Sequence, residues 1–131
     1  MQPSVVVLES AVLYHGTDVD SALGILNNGL DVEHLLALQA GRVVQVRTGW
    51  YTSLDPEVAW FFASLTPGDK GQGYTVVEVR LKTSDLEALF VRGLAIQSII
   101  RNVPFTAEQV WFDVAAFEFL NSRAEFRPYR G

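Results

Sequence analysis

A chain of 131 residues, 49% hydrophobic and 19% charged, is long enough for one core and too apolar to stay disordered. With no cysteine and two histidines, disulfide scaffolds, thiolate metal sites and cysteine nucleophiles are excluded, and an ordinary zinc centre lacks ligands. The net charge of −5 argues against non-specific duplex binding, and no apolar run approaches the roughly 20 residues of a membrane-spanning helix.

In chain order, Val5 to Leu8 and Ala11 to Tyr14 are predicted to be extended, ending at His15-Gly16-Thr17, where glycine permits a turn. No basic residues precede the first of these runs, so the opening feature of a secretory leader is missing; a cytoplasmic chain, or a domain of something larger, is expected. Asp18 or Asp20 can cap a helix in which Val19, Ala22, Leu23 and Leu26 recur at helical spacing, with Gly29 placed to end it. Glu33 to Gln39 reads as another helical turn or two, and Val43, Val44 and Val46 as a short strand before Gly49. Asp55 as N-cap, Pro56 at the first position and Glu57 in the first turn then predict a helix to about Leu65. Its buried face is expected to hold Val58, Ala59, Phe61, Phe62 and Leu65, and Trp60 and Trp111 also read as core.

Pro67-Gly68-Asp69 opens a polar loop whose glycines, up to Gly73, lack the Lys-Ser/Thr ending of a phosphate-binding loop. Tyr74 to Leu81 alternates as a strand, with Val77, Val79 and Leu81 on one side and Glu78 and Arg80 on the other. Ser84-Asp85 starts a short helix through Phe90, and Gln109 to Val114 reads as a strand. Glu125 to Tyr129 reads as an edge strand because it carries Pro128. Arg123, Arg127 and Arg130 are taken as a solvated tail rather than a phosphate grip, and His34 as structural. Strands and helices without regular alternation predict one α+β domain over residues 1–131.

Three segments carry further information: Leu13-Tyr14-His15-Gly16-Thr17, Gly49-Trp50-Tyr51-Thr52-Ser53 leading into the helix with Ala59, and Glu108-Gln109-Val110-Trp111-Phe112. In order and spacing they resemble the His, Tyr and Glu blocks of ADP-ribosyltransferases, in the branch that includes diphtheria toxin, the poly(ADP-ribose) polymerases and many small bacterial domains. The resemblance spans most of residues 12 to 115. It implies a split, mostly antiparallel pair of sheets with flanking helices and NAD+ in the cleft between them. His15 would then hydrogen-bond the adenosine-side ribose, Gly16 would allow close approach, and Thr17, Thr52 and Ser53 would lie among the NAD+-contacting residues. Tyr51 would stack on the nicotinamide while Trp50 faces the core. Glu108 would accept a hydrogen bond from the nicotinamide ribose and stabilise the oxocarbenium-like centre as the glycosidic bond breaks.

The activity so implied is NAD+-dependent ADP-ribosyl transfer without a metal, to an acceptor that is a macromolecule or a small molecule. A bacterial toxin or effector is one form it takes, with a neutralising antitoxin as the corresponding partner. Ala107-Glu108-Gln109 holds one carboxylate where arginine-modifying members carry Glu-x-Glu, so arginine is disfavoured as the acceptor. Removal of an RNA 2'-phosphate, which uses a second histidine and basic residues, is disfavoured for the same kind of reason. Glu118 is the rival acid if the alignment slips; Glu108 is preferred because it precedes the strand Val110-Trp111-Phe112, whereas Phe117 and Phe119 flank Glu118. Two other functions remain open: NAD+ hydrolysis at the same site, and a catalytically silent module that binds a nucleotide or a protein. The plainer roles are His15 as a turn residue, Tyr51 and Trp50 as core aromatics and Glu108 as a solvated strand-start residue.

Overall fold

The strand β1 (Ser10–Asp18) buries Leu13 and Thr17 and keeps its other residues half-buried, and it forms the middle of the fold. A computed structural model describes residues 9–40, 48–65, 73–101 and 106–130. The expected extended run at Val5 to Leu8, the strand at Val43 to Val46 and the glycine loop before Gly73 lie outside these residues. After β1 come α1 (Val19–Asn28), α2 (Val32–Ala40), β2 (Trp50–Ser53), α3 (Pro56–Ser64) and β3 (Tyr74–Lys82). The chain continues through α4 (Thr83–Val91), β4 (Ala95–Ile100), β5 (Ala107–Phe112), a 3-10 turn at Val114–Ala116, α5 (Phe117–Arg123) and β6 (Glu125–Pro128).

The fold is α+β, with six strands in the order β4-β5-β2-β1-β3-β6 and every neighbouring pair antiparallel. Where the resemblance led us to expect two sheets, the strands form one. Its two three-stranded halves meet at a single paired position, Tyr14↔Ser53, whereas β1 and β3 pair continuously from Ser10↔Lys82 to Asp18↔Tyr74. On one face Leu13, Trp50, Val77, Val79, Leu81, Val110 and Phe112 pack with Ala22, Ile25, Leu86, Leu89, Phe117 and Leu120 from α1, α4 and α5. On the other face α3 lies across β1 and β3.

Gly16 explains how closely α3 sits, and it corrects the expectation of a turn at His15-Gly16-Thr17. The strand runs straight through these residues to Asp18. A Cβ on Gly16 would lie 1.8 Å from the Ala59 carbonyl oxygen, so glycine is needed for close approach and not for a left-handed turn. The same contact reshapes the expected face of α3. Small residues must sit at the crossing, so Val58, Ala59 and Ala63 are buried while Phe61 and Phe62 are pushed to the flanks and are half-buried. Leu65 is 61% exposed and Trp60 37% exposed, so neither belongs to the core; Trp111 does, at 6%.

The helix punctuation follows the sequence closely. Asp18 caps α1 by accepting from the Ser21 N–H at 3.0 Å, and Gly29 (φ 82°) ends it by donating to the Ile25 carbonyl. The buried stripe of α1 is Ser21, Ala22 and Ile25; Leu23, expected inside, is 50% exposed. Asp55 caps α3 through the Glu57 N–H at 2.8 Å, with Pro56 following. Pro128 lies in the edge strand β6, as its missing N–H requires. Asn121 of α5 ties down the α1–α2 connection: its Oδ1 accepts from the Leu30 N–H at 2.7 Å and its Nδ2 donates to the Leu30 carbonyl at 3.0 Å.

Candidate functional site

The place where the two halves of the sheet part is occupied by a side chain. Beyond Tyr14↔Ser53, β1 and β2 no longer pair, and His15 Nδ1 lies 2.7 Å from the Tyr51 carbonyl oxygen. A carbonyl only accepts, so Nδ1 is the donor. The imidazole also lies over Trp50, with ring centroids 4.6 Å apart and a 35° tilt, and Trp50 is anchored in the core against Phe112 and Phe126. The histidine and tyrosine blocks therefore meet, and an imidazole hydrogen bond replaces a backbone one at the seam.

Glu108 is held differently. It is the second residue of β5, exposed, paired with Ile99, and its carbonyl accepts from the Leu54 N–H at 3.2 Å where β2 turns away into α3. Pairing sets its facing: Trp50↔Phe112 and Thr52↔Val110 lie on the core face, so alternation puts Glu108 on that face too. Tyr51, Ser53, Gln109 and Trp111 alternate to the α3 face. The structure thus joins His15 to Tyr51 and leaves Glu108 apart, at the end of the β2 ladder. Glu118, the rival acid, is an exposed residue in the first turn of α5.

The hydroxyls of the two blocks are not equivalent. Thr17 is buried and donates to Asp18 Oδ1 at 3.2 Å, and Thr52 is buried and donates to the Val110 carbonyl at 2.9 Å. Ser53 is equally buried, at 2% exposure, yet its hydroxyl has no hydrogen-bond partner among the described residues. The same is true of the Gln109 carboxamide beside it, at 4%. Neither feature was foreseen. The available signal was one polar residue entering the apolar run Val110-Trp111-Phe112.

Ser53 and Gln109 belong to a polar row that crosses the α3 face of all six strands, through Ser98, Gln109, Ser53, Tyr14, Glu78 and Arg127. Burial first, and then the Glu78 carboxylate, raises the Tyr14 phenol above its ordinary value; its ring meets Tyr129 edge-on at 5.3 Å. At that end of the row, Glu78, Arg127, Pro128, Tyr129 and Arg130 line an open cavity of about 480 Å³. Arg127 pairs with Glu125 at 2.5 Å and Arg123 with Asp85 at 3.3 Å, with all but the Asp85 side chain more than half exposed. Contacts of this kind add little stability. His34 Nε2 lies 2.8 Å from Ser21 Oγ and links α2 to α1.

Among the described residues no group of three or more His, Asp or Glu side chains is placed to hold a metal ion, and no helix is long and apolar enough to cross a membrane. No protein-family model matches the chain, and no curated protein matches it.

Proposed function

We propose that the chain binds NAD+ along the seam between the two halves of the sheet and cleaves its nicotinamide–ribose bond, transferring ADP-ribose to a macromolecular or small-molecule acceptor. The observation that carries this reading is the 2.7 Å bond from His15 to the Tyr51 carbonyl, which brings two of the three sequence blocks to one point. The His15 imidazole would meet a ribose hydroxyl of the ligand. Tyr51 supplies an aromatic surface on the α3 face, worth on the order of 1 kcal/mol against a stacked ring beyond the area buried. Glu108 would place its negative charge beside the sugar as the bond breaks.

In the reaction the ribose C1'–nitrogen bond breaks, its electron pair leaves on neutral nicotinamide, and the acceptor nucleophile forms a bond to C1' and gives up a proton. With water as acceptor the same site is an NAD+ glycohydrolase. A second reading, a module that binds a nucleotide without turning it over, is favoured by one observation: Glu108 and Tyr51 lie on opposite faces of the β2–β5 ladder. A ligand touching both must pass around the end of β2.

The test is nicotinamide release from NAD+ by the purified protein and by Glu108→Gln, with and without host lysate as a source of acceptors. Release that falls about 100-fold or more in the variant supports turnover at Glu108. Label appearing on a lysate component then separates transfer from hydrolysis. NAD+ binding without release, unchanged in Glu108→Gln, replaces the enzyme with the binding module.

A further inference from the structure

Sheet edges in native proteins are usually blunted, because an open row of N–H and C=O groups pairs readily with another strand. One edge of this sheet follows that rule: β6 carries Glu125, Arg127 and Pro128. The opposite edge among the described residues, β4, reads Ala95-Ile96-Gln97-Ser98-Ile99-Ile100 and holds neither a charge nor a proline. Ile96 is 38% exposed and Ile99 50%, with Gln97 and Ser98 exposed between them.

Backbone direction fixes which groups are open. The Leu94 carbonyl accepts from the Asp113 N–H at 2.9 Å, while the Glu108 carbonyl turns the other way, to Leu54. Alternation along an antiparallel ladder therefore aims the even-numbered residues of β4 at β5 and the odd-numbered ones outward. Ala95 is covered, at 3% exposure, so the open backbone groups are those of Gln97 and Ile99, placed symmetrically about Ser98.

A second copy of the same strand fits such an edge. A two-fold axis through Ser98, perpendicular to the sheet, sets Gln97 opposite Ile99 of the second copy and Ile99 opposite its Gln97, so every open N–H and C=O finds a partner. On the α3 face the same register places Ile96 against Ile100 of the second copy, on both sides of the Ser98 pair. An axis through Gln97 would instead set Ile99 against the covered Ala95. No charge within the strand opposes the approach of a like chain, although each carries −5 overall. An acidic or basic peptide finds no opposite charge on it.

We propose that two copies of the chain associate through β4, antiparallel and centred on Ser98, into one continuous sheet. The inference is independent of the NAD+ reading. It places Glu108 of both copies on the same face, each one strand in from the junction. Six residues a side make a short contact, so the association belongs to the weak, reversible class.

The experiment is sedimentation equilibrium of the purified chain over about a hundredfold range of concentration, with circular dichroism to establish that each variant is folded. The parent is expected to pass from the mass of one chain toward that of two and to stop there. Ser98→Lys and Ser98→Glu each set like charges face to face on the axis and should weaken association at least about fivefold, while an equal mixture of the two associates at least as well as the parent. Gln97→Pro removes an outward N–H and no bond to β5, and should remain a single chain. A parent that is a single chain throughout, association that continues past two chains, or Ser98 variants that associate like the parent overturns the inference. So does a single-chain parent whose β4 amides are protected from hydrogen exchange by an uncharged Thr-Val repeat peptide, which gives the edge to a foreign strand. If the Ser98 variants do not fold, Gln97→Pro decides: a dimer overturns the proposal and a folded single chain upholds it.

Discussion

Replacing Gly16 by alanine tests the packing on which the seam depends. The new Cβ would lie 1.8 Å from the Ala59 carbonyl oxygen and 2.9 Å from the Ala63 Cβ. A carbon–oxygen contact needs about 3.3 Å, so α3 or β1 must retreat by about 1.5 Å, and a carbonyl inside a helix cannot swing aside. That is overpacking at the upper end of its usual range, about 3 kcal/mol. With an unfolding entropy of roughly 2.1 cal/mol/K per residue, a chain of 131 residues should lose about 11 °C in Tm. Gly24, inside α1, is the control, because a Cβ there meets nothing within 4 Å. Gly24→Ala should gain about 0.5–1 kcal/mol, or roughly 2–4 °C. Thermal unfolding followed by circular dichroism compares the three proteins. A Gly16→Ala protein melting within about 2 °C of the parent would refute the direct contact between α3 and β1.

Other substitutions probe single interactions. His15→Ala leaves the Tyr51 carbonyl without its imidazole donor and should lower stability by roughly 1–3 kcal/mol in urea titrations, whereas Glu108→Gln, at an exposed position, should stay within about 0.5 kcal/mol of the parent. Asn121→Ala removes both bonds to Leu30 and should cost about 2 kcal/mol, with Asn121→Asp, which keeps only the acceptor, falling between. At Asp18 burial opposes ionisation, but hydrogen bonds from Ser21 and Thr17 outweigh it and hold the carboxyl below its ordinary 3.8. A depressed folded-state value stabilises above the unfolded one and is lost as pH falls through the folded one. The parent should therefore lose stability as pH falls below about 3.8 relative to Asp18→Asn, whose amide still caps; equal acid profiles in denaturant titrations would contradict this.

What was legible in the sequence is what depends on near neighbours. Asp18, Asp55, Pro56 and Gly29 act through hydrogen bonds and dihedral limits within a turn of their own position, so their roles could be read directly. β3 was legible because Val77, Val79 and Leu81 alternate with Glu78 and Arg80. β4 was not foreseen: Ile96, Gln97, Ser98 and Ile99 are all exposed, so burial imposes no alternation on them. α5 has seven residues, too few to display a helical period. The run through Gly16 continues as a strand where a turn is expected from sequence, because the partner that requires glycine there, Ala59, is remote in sequence. The order of the three blocks was visible, but the facing of Glu108 against Gln109 was not. It depends on which β5 residue meets Ser53, and a shift of one position would exchange the two.

The seam gives the sheet an uneven stiffness. Four of its ladders hold between four and nine paired positions, and the fifth, β1 to β2, holds one. Thermal opening should concentrate there, so that each three-stranded half fluctuates as its own unit under a shared core. Any molecule that grips both halves then works as a splint. Its signature would be slower amide hydrogen exchange in β3 and β5 together, in strands on either side of the seam that do not touch each other, whatever chemistry follows.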